Sequence, residues 1–134
     1  DSEQPVKAPA LVGRSFPFFS NAAGKVIAAC EPRDYLHRYL QKVGRKRPVV
    51  DLENLQQELI SIRSRGVAVD NGGLGEQITS VAVAIRDYAG KVLGALTLIG
   101  PTARMVGERL EQEIIPSMVA GTQMLSARFG YAAP

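Results

Sequence analysis

Two apolar runs, "QITSVAVAIR" at 77–86 and "KVLGALTLIG" at 91–100, flank the four residues "DYAG". Both runs are rich in residues that favour strands, and a linker with Asp first and Gly last suits a type I turn, so the segment reads as a β-hairpin. If Arg86 pairs with Lys91 across the turn, Ile78 lies opposite Ile99, Ser80 opposite Thr97, Ala82 opposite Ala95 and Ala84 opposite Leu93. Thr79, Val81, Val83 and Ile85 then share the other face with Leu98, Leu96, Gly94 and Val92, bulkier residues that suit a core beneath helices. On the first face an Ala-Ala pair beside a pair of hydroxyls leaves volume and polar groups unclaimed. A small ligand needs such a surface, but so does a helix that packs closely on alanine while the hydroxyls bond to backbone. The hairpin alone leaves both readings open, and a bulge would shift the register.

The remaining elements are set off by caps and breakers. Ser20 or Asn21 can cap a helix through Ala29, and Pro32 suits the first turn of a second helix, "PRDYLHRYLQKV", which Gly44 ends. Asp51 can cap "LENLQQELISIRSR", in which Leu52, Leu55, Leu59 and Ile62 form an apolar stripe, with Gly66 as its stop. A short strand "VAVD" and the loop "NGGLGE" lead into the hairpin. Val106 to Phe129 is again helical in spacing, and Pro116 predicts a kink or split there.

With 134 residues, 46% of them hydrophobic, the chain has the length and apolar content of a single domain with a core. No stretch is long and apolar enough for a membrane span, which predicts a soluble, cytoplasmic protein with no membrane partner. One cysteine, Cys30, excludes an internal disulfide and suits a reducing compartment. The net charge of +3 is mild, and the cluster "GRKRP" at 44–48 is too short to make a nucleic-acid binder and reads as a solvated loop. The polar opening "DSEQPVKAPA", without an initiator Met, predicts a fragment of a longer protein.

"SNAAGKVIAA" contains a Gly-Lys pair, but a Walker loop needs Gly at its head and Ser or Thr after the Lys, where Phe19 and Val26 stand. What remains is a helix start with small residues, whose amides and dipole favour an anion. A Cys/His enzyme would have to pair Cys30 with His37, the only imidazole. Cys30 lies at the apolar end of its helix, as a buried structural cysteine would, and His37 sits on the next one. No closely spaced His/Cys cluster suggests a metal, and no cofactor is implied. A pocketless dimerisation module built on the Leu52–Ile62 stripe is the other alternative.

"VGRSFPFFSNAAGKVIAA", "ELISIRSRGVAVD" and "ITSVAVAIRDYAGKVLGALTLIGP", in this order, resemble the effector-binding domain of the isocitrate-lyase-regulator (IclR) family of bacterial transcription regulators. The resemblance runs from about Val12 to Gly130. It implies an α+β, GAF-like antiparallel sheet flanked by helices, a pocket for a small-molecule effector, and no catalysis. It also implies a homodimer or homotetramer that meets DNA only through a winged helix-turn-helix domain, absent here along with the first strand-helix portion of the effector domain. The family's pocket maps onto Phe16, Ala22, Ala23, Gly24, Asp70, Ile78, Ser80, Thr97 and Ile99. The sequence departs from the family at Gly72, often a carboxylate, at Gln77, often Gly, at Ser80, often Cys, and at Ala84, often Pro. Helix amides, the hydroxyls of Ser80 and Thr97, and an apolar wall of Phe16, Ile78 and Ile99 suit a carboxylate or a hydroxylated aromatic acid. Asp70 would accept a bond from the ligand's hydroxyl or cap the turn before "NGG".

Overall fold

The computed structural model describes residues 21–32, 34–35, 38 and 52–132. Phe16, His37, Asp51, the basic cluster at 44–48 and most of the helix expected after Pro32 lie outside these.

Helix α1 (Ala22–Ala29) starts where the Asn21 side chain accepts the Gly24 N–H at 2.9 Å. It ends at Cys30, just before Pro32, and Ala22, Val26 and Ala29 form its buried stripe. Helix α2 (Leu52–Arg65) stops at Gly66, whose left-handed φ of +79° lets its N–H reach the Ile62 carbonyl at 2.7 Å. Ile62 is buried and Leu59 packs beside it.

Strands β1 (Val67–Asn71), β2 (Ile78–Arg86) and β3 (Val92–Pro101) form an antiparallel sheet in the order β1-β2-β3. At the hairpin tip the Gly90 N–H donates to the Asp87 carbonyl, and Asp87 Oδ1 accepts from the amides of Ala89 and Lys91. The register differs from the expected one: Ser80 opposes Ile99, Ala82 opposes Thr97, Ala84 opposes Ala95, and Ile78 opposes Pro101. Two local events cause this. Gly90, in the left-handed region, takes an extra residue into the turn, so Arg86 meets Val92 rather than Lys91. A bulge between Ile85 and Arg86 then leaves Leu93 without a partner. The two single-residue offsets add to an even shift, so every other paired residue stays on its expected face.

Each face carries a core. Ala68 and Ala82 pack against Ala22, Val26, Ala29 and Ile62 on one side, and Val67, Val81 and Val83 pack against Met105, Ile115 and Met118 on the other. The sheet is thus the middle of three layers, an α+β arrangement as expected. On the valine side one helical turn (Gly107–Arg109) runs through a π turn (Leu110–Ile114) into α3 (Ile115–Arg128). Pro116 explains the π turn. It lacks an N–H and would crowd the Gln112 carbonyl in a regular helix, and the wider turn, closed by the Ile115 N–H on the Leu110 carbonyl, absorbs the mismatch without breaking the helix. Among the described residues no helix is long and apolar enough to cross a membrane.

Candidate functional site

The start of α1 lies on β2. The Ala22 N–H donates to Ser80 Oγ at 3.2 Å in a buried contact, and Asn21 takes the Gly24 N–H. The helix therefore offers fewer free amides than expected: among the described residues only Ala23, of these first three, keeps its N–H without an acceptor. Over Ala68 and Ala82 the helix closes onto the sheet with alanine against alanine, so the middle of this face follows the close-packing reading. Toward β3 the same face stays accessible. Thr97 is half-buried and Ile99 is 37% exposed.

One turn into α1, Lys25 is only 9% exposed, and its Nζ lies 2.7 Å from Glu58 of α2 and 3.0 Å from Asp70 of β1. An ammonium buried alone would be prohibitively costly, so this ion pair is a condition of the packing. Burial pushes the Lys25 pKa down, but hydrogen bonding to Glu58 and Asp70 and their negative charge outweigh it, so the net shift is above the ordinary 10.5. A pKa raised on folding contributes stability that is fully present below 10.5 and is lost as pH rises through the higher folded value. The stability difference between the native chain and Lys25→Met should therefore be constant at neutral pH and shrink only above 10.5, as urea titrations across the alkaline range would measure. A difference that fell away near neutrality would contradict the ion pair.

Lys25 and Glu58 are absent from the sequence-derived site. The signal for Lys25 is present all the same: it is the one charge in "AAGKVIAA", on the face that also carries Ala22, Val26 and Ala29, and a cation on a buried stripe requires a carboxylate.

Of the expected residues, Ala22, Asp70, Ser80 and Ile99 come together: Asp70 opposes Ser80 across β1 and β2, and Ser80 opposes Ile99 across β2 and β3. Thr97 stands opposite Ala82 rather than Ser80. Ile78 is buried next to Ser80 on the same face of β2, Gly24 is buried, and Ala23 is half-buried. Asp70 uses both oxygens, Oδ1 on Lys25 and Oδ2 on the Gly73 N–H at 2.9 Å, so it caps the turn before "NGG". In that loop Gln77 holds a φ of +60°, a conformation that costs a non-glycine residue about 1 kcal/mol and accounts for the family's frequent Gly there. Cys30 departs from its expected apolar burial. It is half-buried and its Sγ accepts from Arg86 Nη2 at 3.2 Å.

These elements define a three-layer α+β domain in which a helix start meets two hydroxyl-bearing strands. The model of the bacterial transcriptional regulator IclR C-terminal family matches residues 1–127, and the chain belongs to that family. It is 32% identical to the HTH-type transcriptional regulator KdgR of Escherichia coli over 98% of its own length and 51% of that protein. The chain spans about half the length of the curated relatives it matches, which are transcriptional regulators, not enzymes. The structure of Thermotoga maritima IclR superposes with a TM-score of 0.78 at 30% identity, covering 98% of this chain and 54% of that one. A double mutant of the inducer-binding domain of the Acinetobacter PobR transcription factor, in complex with 3-hydroxybenzoic acid, shares the fold at a TM-score of 0.76 and 20% identity, covering 93% of this chain and 76% of that one.

Proposed function

We propose that this domain senses a small organic acid and reports its presence to an attached DNA-binding domain, as part of a dimeric or tetrameric regulator. The carrying observation is that the start of α1 sits on β2 through the Ala22–Ser80 contact, that Ser80 stands opposite Ile99, and that β3 presents Ile99 and the half-buried Thr97 on this same accessible face, while the Ala23 N–H has no acceptor among the described residues. A donor at a helix start, a hydroxyl and an apolar wall together suit a carboxylate on a ring or short chain. The PobR domain named above is an inducer-binding domain holding a hydroxybenzoic acid, which is in keeping with this class. Asp70 would by itself repel an acid, and the Lys25 ammonium at 3.0 Å reduces that repulsion in part, since Lys25 is shared with Glu58 at 2.7 Å and the three groups together keep one negative charge. Asp70 already accepts one bond at each oxygen, from Lys25 and from the Gly73 N–H, so plain and hydroxylated acids both stay within the proposed class.

Ligand binding would act by population shift, favouring one arrangement of subunits and thereby the spacing of DNA-binding domains that lie N-terminal to this chain. A thermal-shift screen of carboxylates, amines and neutral compounds tests the class of ligand. A cognate acid at about a hundred times its Kd should raise Tm by roughly 10 °C. A hit list without acids would overturn the reading.

A further inference from the structure

About 10–20 Å from Ser80 along β2, a cleft of about 370 Å³ opens between the C-terminal ends of α1 and α2, the end of β2 and α3. Among the described residues its lining includes three arginines, Arg63, Arg65 and Arg86, and no Asp or Glu. Arg65 is matched by Glu111, whose oxygens lie 2.6 and 2.8 Å from its Nη2. The other two guanidiniums have no carboxylate among the described residues. Arg86 is half-buried and donates to the Gly90 carbonyl at 2.9 Å and to Cys30 Sγ at 3.2 Å, which leaves part of its five-donor fork unused. Arg63 is exposed at the rim.

Ser126, only 3% exposed, adds a second feature. Its Oγ accepts the Arg86 backbone N–H at 3.1 Å, so its own O–H remains as a donor with no acceptor among the described residues. A half-buried cation without a counter-ion and a buried hydroxyl with a spare proton are both unfavourable by themselves, and one ligand satisfies both. The α1 C-terminus reaches the cleft at Cys30, but its partial negative charge of about one half is small against two unmatched guanidiniums.

We propose that this cleft is a second small-molecule site, specific for a compound bearing an oxyanion, carboxylate or phosphate, gripped by Arg86 and Arg63 with the Ser126 hydroxyl as a further donor. The volume suits a molecule the size of a small metabolite. Guanidiniums favour planar or tetrahedral oxyanions because two parallel N–H groups match two oxygens. The site is separate from the one at Ala23 and Thr97, and α1 spans the two.

The test is a heteronuclear NMR titration of the protein with inorganic phosphate, with succinate, and with sodium chloride at matched ionic strength. Saturable shifts of the Gly66, Arg86 and Ser126 amides with phosphate, succinate or both, and not with chloride, are expected, and the anion that saturates at lower concentration identifies the source. Arg63→Gln, which removes no described contact and so spares the fold, should raise the dissociation constant about tenfold, the loss of one charge-assisted bond. Shifts equal to those from chloride, shifts confined to Ala22, Ala23 and Ser80, or unchanged binding by Arg63→Gln would each overturn the proposal.

Discussion

Lys25→Met should lower the free energy of unfolding by about 3–5 kcal/mol, the range for removing one partner of a buried ion pair. Methionine fills a similar volume but leaves Asp70, 8% exposed, without its cation in the interior. For a domain whose whole stability is about 5–15 kcal/mol, such a loss brings the chain close to unfolding at room temperature. Urea denaturation measures it, with Asp70→Asn and the double variant completing a cycle. Asparagine keeps an oxygen for the Gly73 N–H, so the double variant should be markedly less destabilised than the two single losses added together. A single-variant loss below about 1 kcal/mol would mean that water, not Asp70, carries the ammonium.

Ala82→Leu carries the second large effect. Ala82 is fully buried between the two helices and the neighbouring strand, in a cluster with Ala22, Val26 and Ala68. Added methylenes there must lift α1 from the sheet or force neighbours off their rotamers, at about 1–3 kcal/mol or more. Lifting α1 also strains the Ala22–Ser80 and Lys25–Asp70 contacts, so the upper end of that range is expected. Ala84→Leu, on the same face but half-buried, should cost less than half as much. Equal costs at the two positions, by thermal denaturation, would contradict the close approach at Ala82.

The hairpin shows what a sequence can and cannot reveal. Its two faces were legible because side chains alternate with period two, which an even shift leaves intact. The pairing was not, because Gly90's left-handed turn and the bulge beside Ile85 are backbone events with little side-chain signature. Asn21 and Gly66 marked helix ends correctly, since capping is a local matter of a few residues. Pro116 announced an irregularity but not its form, which is a π turn between the helical turn Gly107–Arg109 and α3.

The site divides the same way. Ala22, Asp70 and Ser80, named from separate stretches of the sequence, are neighbours in the fold. The Lys25–Glu58–Asp70 group joins residues 33 and 45 positions apart, from three elements, and only the folded chain brings them together. Ser80 holds the Ala22 amide, which follows the reading in which the hydroxyls of this face bond to backbone. Ser80→Ala would leave a buried N–H unsatisfied, so a loss of ligand affinity in that variant would be confounded by a loss of stability. Thr97, half-buried and opposite Ala82, is free of this difficulty.

The most direct measurement is therefore calorimetric titration of the native chain and Thr97→Val with the acid that the screen selects. Valine preserves the shape of threonine and removes its hydroxyl. Affinity should fall by about 0.5–1.5 kcal/mol, roughly two- to tenfold, with the fold intact by circular dichroism. Native affinity in Thr97→Val would place the ligand elsewhere and contradict the assignment of this face as the effector site.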